Sequence, residues 1–297
     1  MKELFQGCNA TLETIQKSLE DFLEKKRRAF PRFYFLSNDE LLEILAQRDP
    51  SAVQRHLNKC FDNLNRLELS GGGNGAVVDI TGMISLEGEV IELGRNLRAR
   101  GMVEEWLAAV RAATVARVLL CCSLHFVSQV EEHMKSAVSR FIRAGVMDYD
   151  NGRRADWVLR NPGQAVACGA QIMWARGTEA AIRSVDPVAA LQAWHAKSVS
   201  ELTELTALVR SHLAPLARMV IVALVTTDVH ARDIVETLIA DRVADMNNFT
   251  WQQQLRYYYD REVDEVTVKQ ANAVIAYGKE YEVCVSRLKS DCVVVTN

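Results

Sequence analysis

The 297-residue sequence is 49% hydrophobic and 25% charged, a globular composition that excludes a disordered, collagenous or membrane-embedded chain. A formal net charge of -3 and a pI near 6.1 leave no basic footprint for DNA, RNA or an anionic membrane, so protein partners are expected. Above about 250 residues a single core tends to divide, and more than one packed lobe is expected here. The seven cysteines include the adjacent pair Cys121 and Cys122 and show neither disulfide-framework nor zinc spacing, which fits a reduced, cytoplasmic compartment. Residues 1–10 carry Lys2, Glu3 and Gln6 without an apolar run and do not read as a signal peptide, so the sequons at Asn9 and Asn248 are not expected to be glycosylated. The apolar runs 118–122 and 219–225 fall short of the roughly 20 residues that a membrane helix needs.

In chain order, Leu12, Ile15, Leu19, Phe22 and Leu23 recur at three- and four-residue intervals and predict an amphipathic helix over 4–28. Its last turn, Lys25-Lys26-Arg27-Arg28, complements the negative helix end, and Pro31 stops it. Ser37 with Glu40 forms a capping-box signature before Leu41, Leu42 and Leu45. A third helix starts after Asp49-Pro50, with Val53, Leu57, Phe61, Leu64 and Leu67 on its apolar face. The glycine-rich run 70–75 reads as a loop and a lobe boundary. Residues 76–80 and 84–91, parted by Thr81-Gly82-Met83, predict a small β-hairpin.

The proline-free stretch 97–142 predicts one or two long helices. A short helix bearing Trp157 should follow between Gly152 and Asn161-Pro162-Gly163, and then helices over 164–183, 187–210, 215–225, 229–243 and 249–259. Val263, Val266, Val268 and Val293 to Val295 have β-branched strand character. The fold class is thus mainly α, with packed helical lobes, a small β-hairpin and a short β-rich C-terminal segment.

Chemistry is sparse. A phosphate-cradling GxxxxGK[ST] loop is missing from the sequence: Gly278-Lys279 is followed by Glu280 and has Ala273 where the first glycine should stand. Residues 71–76 spell GxGxxA, but after a predicted helix where a dinucleotide fingerprint needs a strand. Cys121 and His125 have a spacing that two metal ligands can use, yet Val118, Leu119, Leu120, Leu124 and Phe126 surround them and argue for core. His133, beside Glu131 and Glu132, is expected in solvent. The most chemically loaded turn is Asp228-Val229-His230-Ala231-Arg232-Asp233. It reads either as an acid–base centre on His230 and Asp233 or as a helix capped by Asp228 with Arg232 in ion pairs. Trp106, Trp157, Trp174, Trp194 and Trp251 read as core anchors.

Several longer strings stand out in a fixed order. They are Leu23-Glu24-Lys25-Lys26-Arg27 leading into Phe30-Pro31-Arg32-Phe33-Tyr34-Phe35-Leu36-Ser37, and then Asp39-Glu40-Leu41-Leu42-Glu43-Ile44-Leu45. Gly82-Met83-Ile84-Ser85 follows with Glu87-Gly88-Glu89, and Trp157-Val158 with Pro162-Gly163-Gln164 and Trp174. The 228–233 turn, then Phe249 with Trp251 and Gln254-Leu255-Arg256-Tyr257-Tyr258, and last Tyr277-Gly278-Lys279-Glu280-Tyr281 complete the series. In this order the strings resemble the linker of dynein heavy chains, the last of them the segment that enters the first AAA+ module.

The resemblance implies an elongated helical arch that crosses the face of the chain's own AAA+ ring and changes between bent and straight forms as ATP turns over. It implies no catalysis by these residues themselves. ATP and Mg would belong to the parent motor, as would microtubules and the other dynein chains as partners, with neither nucleic acid nor membrane. The cytoplasm and cytoskeleton are the expected location, with an axoneme of a cilium or flagellum favoured. On this reading 1–69 is a first linker lobe, 70–276 a second with the hairpin near 76–91, and 277–297 the start of the first AAA+ module. Val294, Val295 and Thr296 would form the strand lining its adenine pocket. The end departs from the family where 282–286 replaces a short turn and Lys279 stands at a commonly aromatic position. A helical scaffold, or a small acid–base enzyme centred on His230 and Asp233, is the alternative. The aromatics between Pro31 and Ser37 are expected to lock the angle between two helices.

Overall fold

The computed structural model describes residues 2–46, 50–61, 63–70, 78–99 and 122–281. They divide into two compact units: residues 1–86 with 90–133, and residues 87–89 with 134–297. Among them no helix is long and apolar enough to cross a membrane. The fold is mainly helical with two small antiparallel sheets, as the sequence predicts.

In the first unit, α1 (Lys2–Ala29) is followed by a 3-10 turn (Pro31–Phe35), α2 (Asn38–Ala46), α3 (Pro50–Cys60) and the strands β1 (Leu64–Ser70), β2 (Val78–Ser85) and β3 (Val90–Ala99). Of the apolar stripe on α1 only Leu23 is buried; Leu12, Ile15, Leu19 and Phe22 are exposed. The helical period is real, but it marks a core face only in the last turn and a half. Phe30, Phe33 and Leu36 are buried, whereas Tyr34 and Phe35 are 55% and 71% exposed. Of the block's four aromatics only Phe30 and Phe33 pack inside, and their rings meet edge to face at 5.0 Å. Ser37 caps α2 as its spacing predicts, with the Glu40 amide 3.3 Å from Ser37 Oγ and the Ser37 amide 3.1 Å from Glu40 Oε2. Lys59 also bonds Glu40, and these partners hold that carboxyl down at about 2.

The third helix ends at Cys60, and Leu64 and Leu67 lie on β1 rather than on its apolar face. The reason is a bulge. Leu64 faces Ser85 and Arg66 faces Ile84, so one extra residue of β1 lets Leu64 and Leu67 bury on the same side although they stand three apart. That spacing mimics a helix. The outward backbone groups of Leu67 are met by the Gln54 side chain of α3, which donates to Leu67 O at 3.1 Å and accepts from Leu67 N at 3.0 Å. Strand β2 pairs on its other side with β3, making three strands where the sequence suggests two. A strand, not a helix, precedes residues 71–76, and β2 follows where a dinucleotide fingerprint needs a helix. The glycine run itself lies outside the described residues, as do Trp106 and Cys121.

Helix α4 (Cys122–Asp148) supplies residues to both units and is half of the long helical stretch foreseen; Leu97 belongs to β3 instead. His133 is half-buried rather than solvated. In the second unit follow α5 (Arg154–Arg160), α6 (Gly163–Ile182), α7 (Pro187–Val209), α8 (Pro215–Ala240), the single turn α9 (Phe249–Gln252) and strands β4 (Arg256–Asp260), β5 (Glu265–Gln270) and β6 (Ala273–Ala276). Pro187 and Pro215 open their helices, and Asp186 caps α7 by accepting from Ala189 N at 3.1 Å. The two helices expected at 215–225 and 229–243 are one. Thr226 and Thr227 return their hydroxyls to Val222 O and Leu224 O instead of breaking the helix. The helix expected at 249–259 stops at Gln252, because Tyr257, Tyr258 and Tyr259 pair with β5.

Helix α6 is the axis of this unit. One buried cluster joins its Trp174, Ala175 and Ile182 to Leu191, Val235, Leu238 and Trp251, and another joins its Val166 and Ala170 to Trp157, Leu205, Ile221 and Leu224. Small residues let the large rings close in: a Cβ at Gly169 would lie 3.0 Å from Trp157 Cζ2, and one at Gly177 would lie 2.4 Å from Trp194 Cζ2. Four of the five tryptophans fall among the described residues and pack in this unit, as core anchors do.

Two tests follow from these contacts. Phe33→Ala should destabilise the chain by about 3–5 kcal/mol, while Phe35→Ala should stay within about 0.5 kcal/mol in urea unfolding. Gly177→Ala should cost about 1–3 kcal/mol by forcing the Trp194 ring aside, read as a lowered Tm.

Candidate functional site

Three side-chain clusters concentrate the polar chemistry. The first closes the joint of the first unit. Arg27, from the basic end of α1, donates to Phe33 O at 3.4 Å, Leu36 O at 3.1 Å and Asn38 Oδ1 at 2.8 Å. Arg32 donates to Cys60 O at 3.1 Å, lies 4.8 Å over the Phe61 ring and pairs with Glu131 at 3.6 Å. Of the basic run Arg27 is thus a brace, and Pro31 starts the 3-10 turn that carries Arg32.

The second cluster is ionic and buried in the second unit. Arg154 of α5 reaches Glu201 of α7 at 2.7 Å and Asp228 of α8 at 2.7 Å, all three side chains being under a fifth exposed. Burial pushes the Asp228 carboxyl up, and Arg154 pulls it back only in part. Burial alone would lower the Arg154 guanidinium; Asp228, Tyr149 and Glu201 overcome this and raise it. Tyr149, edge-on to Trp157 at 5.0 Å, is pushed up to about 12 by burial.

Asp228 therefore stands inside α8 and binds Arg154; it does not cap a helix. His230 and Asp233 are exposed on the same helix, and Arg232 pairs with Asp233 at 2.5 Å. The loaded turn splits between a buried brace and a surface ion pair. Trp251 is fully buried against Trp174 at 5.3 Å, and Arg256 lies 5.8 Å over its ring while donating to Gln252 at 2.7 Å. Leu255 is half-buried between α9 and β4. Val294, Val295 and Thr296 lie outside the described residues.

The third cluster surrounds Glu89, which is buried and belongs to the second unit. Its Oε1 accepts from the Gly163 amide, the first of α6, at 2.9 Å, and its Oε2 accepts from the Tyr281 hydroxyl at 2.9 Å. Next door, Gln164 Nε2 donates to Glu280 O at 2.7 Å and to Tyr277 Oη at 3.1 Å. A carboxylate at a helix N-terminus meets both an open amide and the positive end of the dipole. Among the described residues no group of three or more His, Cys, Asp or Glu side chains could hold a metal ion.

The family model "Dynein heavy chain, N-terminal region 2" matches residues 1–124. Beyond that stretch, the human protein "Dynein axonemal heavy chain 6" is 41% identical over 297 residues, covering 94% of this chain and 7% of its own length. Mouse "Dynein axonemal heavy chain 1" is 38% identical over 277 residues, covering 93% and 6%. The Chlamydomonas reinhardtii "Dynein-1-beta heavy chain, flagellar inner arm I1 complex" is 38% identical over 283 residues, covering 94% and 6%. This chain belongs to the dynein heavy chain family. It spans less than a tenth of the length of these relatives.

The blocks by which the sequence resembles dynein heavy chains can now be placed. The Phe30–Ser37 block is a braced joint, and Trp174, Trp251 and Arg256 share one stack. Three blocks far apart in the chain, Glu87-Gly88-Glu89, Pro162-Gly163-Gln164 and Tyr277 to Tyr281, converge at the Glu89 carboxylate. Sequence reasoning quoted Glu89 and Tyr281 but gave them no role, and it passed over Arg154 and Glu201 altogether. Neither cluster leaves a periodic trace; an acid before a helix-opening Pro-Gly in another block was the only hint.

Removing Arg154 would leave Asp228 buried without its cation and Glu201 with Lys197 at 3.7 Å. Arg154→Ala should cost about 3–5 kcal/mol in denaturant unfolding. The raised Asp228 group sets the sign of the pH effect. A folded carboxyl above its unfolded value binds its proton first, so part of the loss should return as pH falls from 7 towards 5.

Proposed function

We propose that this chain is the linker segment of a dynein heavy chain, a lever that carries the conformational change of the parent's ATPase ring and does no catalysis itself. The observation that supports it best is the similarity to axonemal dynein heavy chains over more than nine tenths of the chain. The braces agree with it. A lever needs helices that keep their angles under load, and here charged side chains tie helix ends and neighbouring helices together. The parent would bind ATP and Mg, act on microtubules with other dynein chains, and reside in the cytoskeleton of a ciliary or flagellar axoneme. In that parent, 1–69 and 70–276 would be the linker lobes, and 277–297 would lead into the first AAA+ module with Val294, Val295 and Thr296 at its adenine pocket.

The test uses the full-length heavy chain that carries this sequence. Fluorophores on α1 and on the AAA+ ring should change their separation between the ATP-bound and nucleotide-free motor. An invariant distance would sink the lever reading. Magnesium-dependent ATP turnover by residues 1–297 alone would sink the non-catalytic part of it.

A further inference from the structure

Glu89 sits where residues 277–281, the last that are described, pass the N-terminus of α6. Residues 277–281 follow β6 and are fastened along their length: the Tyr277 amide donates to Val266 O at 2.9 Å, Lys279 donates to Asp264 O at 3.3 Å, and Gln164 holds Glu280 O. The last described residue, Tyr281, is 1% exposed, and its hydroxyl ends on Glu89 Oε2. The other oxygen of the same carboxylate takes the first amide of α6, the helix around which both buried clusters of the unit are built.

We propose that Glu89 is a latch residue that fixes the course of segment 277–281 across this unit, by tying Tyr281 to the N-terminus of α6. One carboxylate does this because its two oxygens point to two different donors, so a single buried side chain spans segment 277–281 and the central helix. The negative charge suits the place. It faces the positive end of a 20-residue helix, and a bond to a charged acceptor is stronger than a neutral one. The proposal rests on the lever reading in one respect: if the chain is a linker, load that reaches segment 277–281 passes through this latch into α6.

The experiment again uses the full-length heavy chain. Tyr281→Phe keeps the buried ring and deletes one hydroxyl, while Glu89→Gln keeps an acceptor for Gly163 and loses the charge. Amide hydrogen exchange over 277–281 should speed up about tenfold in Tyr281→Phe, the effect of one charge-assisted bond, with exchange in α7 and α8 unchanged. Glu89→Gln should be intermediate, and Glu89→Ala at least as fast as Tyr281→Phe. In microtubule gliding, Tyr281→Phe should lower velocity several-fold while ATP turnover stays within about twofold, which a merely stabilising bond would not do. Unchanged exchange over 277–281 would overturn the latch. Faster exchange with an unchanged ratio of velocity to turnover would overturn its coupling role and leave the lever reading standing, because that reading is decided by the fluorophore distance in the wild type. Equal loss of velocity and turnover would also overturn it.

Discussion

An α-helix leaves its first N–H groups and last C=O groups without partners inside the helix, and a chain built mainly of helices must satisfy them from elsewhere. Here much of that work falls to charged side chains from other elements. Arg32 takes the Cys60 carbonyl at the end of α3, Glu89 takes the Gly163 amide at the start of α6, and Arg27 takes the carbonyls of the turn between α1 and α2. Each bond is charge-assisted and directional. Local caps such as Ser37, Asp186 and Asn248 close their own helices, but they do not tie one element to another.

Apolar burial alone would not set these angles. The hydrophobic term is non-directional, and two helices greased by leucine can slide or rotate at little cost. What stops rotation in the second unit is steric and ionic: the Trp157 ring against Gly169, the Trp194 ring against Gly177, and Arg154 holding α5 to α7 and α8 at once. A buried charge is poor value as a stabiliser when a hydrophobic group of the same size would serve. Its benefit is registry. Arg154 must meet both carboxylates in a forked geometry, so a slip of either helix leaves a charge stranded.

The sequence was most legible where local chemistry decides the structure. Ser37 with Glu40, Asp186 before Pro187, and Pro215 opened helices where their residue types say they should. It misled where a local feature has two geometric origins. Leu64 and Leu67 stand three apart because of a β-bulge, not a helical turn, and the Tyr257 to Tyr259 run pairs with β5 although it continues an apparent helix. Thr226-Thr227-Asp228 looked like a break and a cap, but the threonines bond back into α8 and the aspartate serves Arg154. The Glu89 site was illegible for a different reason. Its members Glu89, Gly163 and Tyr281 lie up to 192 residues apart, and no periodicity encodes a contact of that range.

The exposed and buried halves of the aromatic joint separate two kinds of constraint on one short block. Phe30 and Phe33 are inside, and their identity follows from volume and edge-to-face geometry. Tyr34 and Phe35 are outside. Tyr34 is tied down by its hydroxyl to Glu24 at 2.9 Å, whose carboxyl that bond lowers, so its place follows from a surface hydrogen bond on α1. Phe35 has 71% of its surface in solvent, and neither packing argument reaches it. A joint could dispense with that ring and keep its angle, since Arg27 holds the backbone on either side of it at Phe33 O and Leu36 O. The packing of the joint thus rests on its buried pair and its arginine, and the resemblance of the whole block to dynein heavy chains covers more residues than that packing uses.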